Sequence, residues 1–434
     1  MAAFATNLRN GLILAILLGS PWLFACVHPG AQIFIKSLGT LLGASFLLLK
    51  FLRPVASAPS PRELLLAGCT ILLLAYAAIR TPQSIDPRVS AYALWGYATL
   101  AALFWSIRDW IREEPTAARN ILLAVLVNAA AIALAGLAHR LTGSRKVLWI
   151  YQPEVASRYY IFGPFEYRAT ASQFFNLLWP AALGLYVQQL LSASQSSWPK
   201  RIALPATAVL LLTAPIVTSS RGGLLMAFLG LIVFLAALLV SRSLPRIAVR
   251  RVLLIVMGVA VLFTAFGIKP VKKRWNETRS IQKFLNLQGR LAQNENSWRI
   301  IADHPWWGVG PGAYEPAFRV YQFPNAFKPA RNDRREQAAW DFFYAKAHND
   351  WLQTLAEWGA PATGLILFAL LAAALPGSRD RIDSVGIGLR IGLLITILHG
   401  AFDYPFQNLA ILCAFTATLA LGNADSVKTE GQAG

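Results

Sequence analysis

The chain has 434 residues, of which 56% are hydrophobic and only 14% charged, with a formal net charge of +19 at pH 7. A soluble domain carries about 25% charged residues, and the apolar residues here come in long blocks rather than in helical or strand-like alternation. Those two facts exclude a soluble globular enzyme. No nucleic-acid partner is expected for the basic excess.

The first apolar block, residues 11–28, follows Arg9 as a secretory signal would. No small-residue cleavage site comes after it and further blocks follow at once, so it reads as a first membrane helix. The blocks at 31–52, 62–80, 90–107, 119–139, 170–191, 201–218, 222–241, 250–268, 352–375, 385–402 and 405–422 complete the series. Crossing a hydrocarbon core of about 30 Å takes roughly 20 residues. The expected fold is therefore an all-α polytopic membrane protein with about twelve transmembrane helices. Residues 1–268 hold helices one to nine, with an outer loop at 140–169. Residues 269–351 form one large extracytoplasmic loop between helices nine and ten, and 352–434 hold the last three helices and a tail. Cys26, Cys69 and Cys413 all sit in apolar blocks and form no CxxC pair, so they indicate neither a disulfide framework nor a zinc site.

Orientation follows from the short loops. Lys50, Arg53 and Arg62 share one connection, and Arg108, Arg112 and Arg119 another. Lys200 with Arg201, then Arg242, Arg246, Arg250 and Arg251, then Arg379, Arg381 and Arg390 continue the set. These are alternate loops, as required if all face the cytoplasm. Both termini then lie in the cytoplasm of a bacterial inner membrane, and the two longer loops face the periplasm. The loop at 269–351 carries fourteen Lys and Arg against eight Asp and Glu. That charge serves either anionic lipid headgroups or an anionic substrate. Its aromatics, among them Trp298, Trp306, Trp307, Tyr314, Phe318, Tyr321, Phe323, Phe327, Trp340, Phe342, Phe343 and Tyr344, point to short helices packed on the membrane surface rather than to disorder. The two halves of the chain do not mirror each other, which argues against an inverted-repeat transporter.

Five stretches at the outer boundary hold the candidate chemistry. In TSSRGG, residues 218–223, Arg221 stands where a guanidinium pointing into hydrocarbon would cost about 2.5–3.5 kcal/mol. It therefore points inward and either anchors the helix end or grips a phosphate, aided by the helix N-terminus. The run GRLAQNENSWRIIADHPWWGVGPGAY, residues 289–314, places Arg290 and Arg299 on a helix ending at Pro305, each a candidate diphosphate ligand. His304 there is a helix-end residue, and GVGPG follows no strand and reads as a turn. In AKAHNDWLQTLAEWG, residues 345–359, His348 precedes the tenth helix with Asn349 or Asp350 as cap. The positive end of the helix dipole disfavours an imidazolium at that place, which suits either a general base or a structural histidine. Glu357, deeper in the helix, is expected to pair with an arginine or with polar backbone. Arg168 in FGPFEYRATASQFF stands at the same boundary, and HGAFDYPFQN at 399–408 places Asp403 in the last outer turn near His399. Neither outer loop holds a DxD-like acidic pair, and HExxH and Walker loops are absent from the sequence. Several arginines and one histidine suit instead a donor already activated as a diphosphate, whose departure needs charge neutralisation without metal or other cofactor.

In this order across one large loop, the motifs resemble those of the O-antigen ligase and O-antigen polymerase family, from helix six onward at least. The resemblance rests on Ser220-Arg221-Gly222, on Arg290 fifteen residues before Pro305 in an HPxxGVGPG turn, and on His348, Asn349, Leu352, Gln353, Glu357 and Gly359 in an HNxxLQxxxExG run. Two positions depart from it: Tyr167-Arg168-Ala169 stands for the usual Asn-Arg-Asn, and Asn294 for a tryptophan four residues after the loop arginine. The resemblance implies a GT-C-like helical fold, an undecaprenyl-diphosphate-linked glycan as donor, and inverting transfer. His348 would be catalytic, with Arg221, Arg290 and Arg168 on the diphosphate and Arg299, Asn349, Glu357 and Asp403 in support. The expected acceptor is lipid A-core, as for a ligase, or a growing glycan, as for a polymerase. A non-enzymatic lipid-glycan transporter would share the membrane fold but has no use for His348.

Overall fold

The computed structural model describes residues 1–53, 59–153, 161–191, 198–240, 246–264, 287–326, 346–375 and 383–422. In chain order they form α1 (Ala2–Trp22), α2 (Pro29–Leu52), α3 (Pro61–Arg80), α4 (Pro87–Glu113), α5 (Ala117–Thr142), α6 (Arg168–Leu191), α7 (Trp198–Val217), α8 (Arg221–Val240) and α9 (Arg246–Leu262). Then come α10 (Leu287–Asp303), α11 (Tyr314–Ala326), α12 (Asp350–Ala374), α13 (Ser384–His399) and α14 (Leu409–Leu421). Every one of the twelve apolar blocks is helical among the described residues. Six helical segments are long and apolar enough to cross a membrane: Ala2–Trp22, Pro29–Leu52, Pro61–Gln83, Ala117–Thr142, Arg221–Val240 and Asp350–Ala374. The helices Ile202–Val217, Ser384–His399 and Leu409–Leu421 are apolar but shorter. Arg242, Arg379, Arg381 and the aromatics Phe327, Trp340, Phe342, Phe343 and Tyr344 lie outside the described residues.

Boundaries differ from the sequence reading for local reasons. Helix α1 ends at Trp22 just after Pro21, and Phe24–Cys26 turn back in left-handed backbone. Helix α4 runs further at both ends because Asp86 caps it, accepting from the amides of Arg88 and Val89, and because its last turns carry charges that find partners. Helix α14 starts at Leu409, where the Asn408 side chain accepts from Ile411 N–H after a 3-10 turn at Pro405–Gln407.

The centre of the bundle is α6, whose side chains are buried on all sides from Arg168 to Val187. It packs on α7, α8 and α13. Its approach to α13 is backbone to backbone: a Cβ added to Gly388 or Gly392 would strike the carbonyls of Pro180 and Leu177. A four-residue spacing of small residues is what lets apolar helices come this close, where lipid offers no hydrophobic drive for packing.

One end of the bundle is held by ion pairs. Arg9 is fully buried and its guanidinium donates to Asp109 at 2.6 Å and to Glu113 at 2.7 Å. Lys50 also pairs with Asp109, and Arg53 reaches Glu113 at 3.2 Å. Arg108 and Arg112 both pair with Glu63, while Arg62 donates to the carbonyl of Ala372 at 2.8 Å. These residues come from the first helix and from alternate connections, so the basic loops gather at one end, opposite the end that carries His348, Arg168 and Arg221.

The helices α10 and α11 pack on each other and on the start of α12 through Ile300, Val309, Tyr314, Phe318 and Ala356. Their turn, Pro305–Gly312, is inserted into a break in α12. There Gly359 has φ 71° and ψ 173°, with Pro361 two residues on. Val309 N–H donates to Ala356 O at 2.9 Å, Gly310 N–H to Glu357 O at 3.0 Å, and Ala360 N–H to Pro305 O at 2.8 Å. The interrupted helix thus leaves its carbonyls satisfied by the loop rather than orphaned, as irregular backbone at such a place must be.

Candidate active site

The N-termini of α6, α8 and α12 and the segment after α13 converge at the end opposite the ion pairs. At α12, Asn349 is the cap: its Oδ1 accepts from Trp351 N–H at 3.1 Å and Leu352 N–H at 3.2 Å. His348, just before it, is held at φ 50°. Its Nδ1 lies 3.4 Å from Asp403 Oδ1, with the two side chains 13% and 7% exposed. Asp403 Oδ1 also accepts from Tyr404 N–H at 3.1 Å. A carboxylate on one ring nitrogen orients an imidazole and leaves the other nitrogen toward the site.

Asp350 fixes that geometry. It is fully buried, and its carboxylate accepts from Phe406 N–H at 2.8 Å and Gln407 Nε2 at 3.0 Å. Its own N–H donates to Gly400 O at 2.7 Å. The turn that carries Asp403 is therefore fastened to the helix that carries His348. The sequence offered Asp350 only as a cap; the amides it captures lie more than fifty residues away, which no local pattern reveals.

Tyr404 extends the cluster. Its ring meets His348 edge-on, centroids 4.8 Å apart, and stacks on Tyr167 at 5.9 Å with an interplanar angle of 3°. Burial, with Tyr167, Asp403 and Asp350 nearby, pushes the Tyr404 phenol well above its ordinary range, so it stays neutral. In the sequence Tyr167 stood out only as a departure from the motif and Tyr404 not at all, although each is adjacent to a residue that did. Tyr167 leads directly into Arg168, the buried first residue of α6.

Arg221 opens α8. Ser220 precedes it as cap, its Oγ accepting from Gly223 N–H at 3.3 Å. The two glycines that follow serve contact: a Cβ on Gly222 would lie 2.8 Å from His399 Nε2, and one on Gly223 would strike the Ser172 hydroxyl. Asn176 Nδ2 donates to Gly223 O at 2.8 Å. So the first turns of α6 and α8 lie side by side with His399 against them, and the N–H of Asp403 donates to His399 O at 3.0 Å. Arg140, from the end of α5, reaches Thr218 O at 3.5 Å.

Three of the remaining sequence candidates, Arg299, Glu357 and His304, stand apart from this cluster. Arg299 is half-exposed and pairs with Glu295 at 2.7 Å on the same helix. Arg290 falls in the first turns of α10, where its side chain lies outside the description. Glu357 meets polar backbone: its Oε2 accepts from Gly312 N–H at 2.9 Å and its Oε1 from Gln353 Nε2 at 3.0 Å, so it pins the glycine turn. His304 is exposed just beyond the end of α10. Among the described residues, no group of three or more His, Cys, Asp or Glu is arranged to hold a metal ion.

An all-helical chain with several membrane-length helices and a polar cluster of arginines, histidine and carboxylate at one end of its bundle is a multi-pass membrane protein with an enzyme-like site. Residues 206–369 match the family model of the O-antigen ligases, and this is the family the motifs resemble. The matched region holds Arg221, Arg290, Arg299, His348, Asn349 and Glu357, while Arg168 and Asp403 lie outside it. No curated protein matches the chain.

Proposed function

We propose that the chain is an inverting, metal-independent glycosyltransferase that moves a glycan from undecaprenyl diphosphate to an acceptor hydroxyl of lipid A-core. It would do so on the periplasmic side of the inner membrane, with both termini in the cytoplasm. The orientation is supported by the basic residues gathered at the other end of the bundle. The observation that carries the reaction is His348 set against Asp403 beside two helix N-termini that begin with arginines. Arg168, Arg221 and Arg290 hold the diphosphate, and the amides of α6 and α8 add positive potential to the same place. The acceptor oxygen attacks the anomeric carbon, and the bond from that carbon to the diphosphate oxygen breaks with its electron pair leaving on the diphosphate. The hydroxyl proton passes to the free ring nitrogen of His348, whose developing charge faces Asp403. Arg299, Asn349 and Glu357 support the loop and the helix end.

The test is mass spectrometry of surface glycans in a deletion strain complemented with wild-type or His348→Ala protein at matched membrane levels. Loss of general base catalysis is typically worth about 10²–10⁴-fold, so the variant should not restore transfer. Accumulation of unligated lipid-linked polymer in the deletion strain indicates a ligase, and single repeat units indicate a polymerase. Full complementation by His348→Ala contradicts the mechanism.

A further inference from the structure

Among the described residues, non-glycine residues with positive φ occur at four places: Phe24–Cys26 (52°, 52° and 56°), Leu148–Trp149 (49° and 62°), Ser219 (58°) and His348 (50°). Such conformations are sterically disfavoured for L-residues and gather where function holds the backbone in place. Ser219 and His348 belong to the site described above. The other two places flank a second cluster that the proposed reaction leaves unused.

His28 is at its centre. Its Nε2 lies 2.8 Å from Glu166 Oε1, with the side chains 34% and 19% exposed. The imidazole meets Tyr151 edge-on at 4.9 Å and Phe24 at 5.6 Å, and those two rings are 5.6 Å apart. Phe24 and Tyr151 are both half-buried. The result is a partly exposed cup of three rings set at 65–82° to one another, one of them the imidazole that pairs with the carboxylate. Glu166 immediately precedes Tyr167, which stacks on Tyr404, which touches His348. The cup is thus joined to the candidate active site through adjacent residues.

We propose that this cup is a subsite for one pyranose ring of the glycan substrate, a reading that rests on the glycosyl transfer proposed above. A pyranose has an apolar C–H face and a rim of hydroxyls. Aromatic walls fit the face, and a carboxylate beside an imidazole offers both acceptor and donor to the rim, as binding sites with a few placed polar groups do. An interfacial aromatic belt explains Trp149, 40% exposed, and Ile150, 74% exposed. It does not explain an imidazole packed edge-on against two rings and paired with a carboxylate.

The test uses full-length protein in nanodiscs, with lipid-linked glycan extracted from the host strain as donor and lipid A-core from the same strain as acceptor, each titrated in turn. Glu166→Gln and Tyr151→Ala should raise one KM about tenfold or more while kcat stays within about twofold, as loss of a charge-assisted hydrogen bond or a stacking wall predicts. Tyr151→Phe keeps the ring and should behave as wild type. A raised acceptor KM assigns the ring to the acceptor, a raised donor KM to the donor, and either supports the subsite. Unchanged KM for both substrates in folded variants overturns it. Carbodiimide labelling of Glu166 in wild-type protein gives the same answer without substitution: protection by either extract is expected, and its absence with both overturns the subsite. Absence of transfer by the wild-type protein overturns the reaction instead.

Discussion

Replacing Gly359 with alanine should loosen the extramembrane helices from the bundle. Gly359 has φ 71° and ψ 173°, a region open in practice to glycine alone. An added Cβ would overlap the Trp306 carbonyl and lie 2.7 Å from Trp307 N. Relief requires the Pro305–Gly312 turn to back away from α12, which weakens the bonds at Ala360, Val309 and Gly310. Strain of this kind costs about 1–3 kcal/mol, and losing one or two backbone hydrogen bonds adds about 0.5–1.5 kcal/mol each. The sum, about 1.5–6 kcal/mol, shifts the docked–undocked equilibrium of the turn by roughly 10- to 20,000-fold. Limited proteolysis in nanodiscs reads this directly, because undocking exposes the backbone of α10 and α11. The control is Gly364→Ala five residues on, where a Cβ meets nothing within 4 Å. There alanine should be neutral or improve the helix by about 1 kcal/mol. Equal cleavage rates for Gly359→Ala, Gly364→Ala and wild type refute the view that the loop turn is seated in the helix break.

The ion-paired end should be sensitive to Asp109→Asn. Arg9 is fully buried against it, and breaking a buried pair typically costs about 3–5 kcal/mol, so the detergent-solubilised melting temperature should fall; an unchanged melt would show that Glu113 alone suffices. At Arg221, lysine offers a charge without the two-pronged fork that matches phosphate oxygens. Arg221→Lys should therefore accumulate normally yet lose most transfer, whereas near-wild-type transfer makes the residue a helix-end anchor. Transfer in purified membranes should survive chelator, since arginines are assigned the neutralising role; loss on chelation with recovery in Mg²⁺ or Mn²⁺ contradicts that assignment.

The helices were legible because long apolar runs announce themselves: the described residues of the twelve blocks are largely helical, and six of these helices are long and apolar enough to cross a membrane. Their ends were less so. Asp86 caps through two hydrogen bonds and Asn408 through one, and Arg9 carries α4 further by offering a partner one hundred residues away. The candidate site was legible residue by residue but not as a constellation. His348 and Asp403 both stood out, yet their pairing depends on Asp350 capturing the amides of the 406–407 segment, a long-range contact without a sequence period. Glu357 was expected to meet an arginine or polar backbone, and it meets backbone because Gly308, where a Cβ would strike Glu357 O, allows the loop to press against α12. The tyrosines at 167 and 404 were hidden among many aromatics, where spacing cannot distinguish a stacked pair from lipid-facing rings.

The division of labour between the two ends of the bundle has a physical logic. At one end, charges of both signs are paired: Arg9, Lys50 and Arg53 with Asp109 and Glu113, Arg108 and Arg112 with Glu63. Such a network ties α1 to α4 together, and its five cations on three carboxylates leave a small positive excess held among partners. At the other end, Arg168 and Arg221 begin adjacent helices, so their charges add to the helix N-termini instead of cancelling against them. The carboxylate of Asp350 there is turned to backbone and amide donors, and that of Glu357 likewise, while Asp403 faces the histidine. In the proposed reaction, an end arranged in this way directs its positive potential at an anionic donor. A diphosphate that must gain charge as it leaves is stabilised more in the transition state than in the ground state, which is the condition for such a field to accelerate the reaction rather than merely bind the donor.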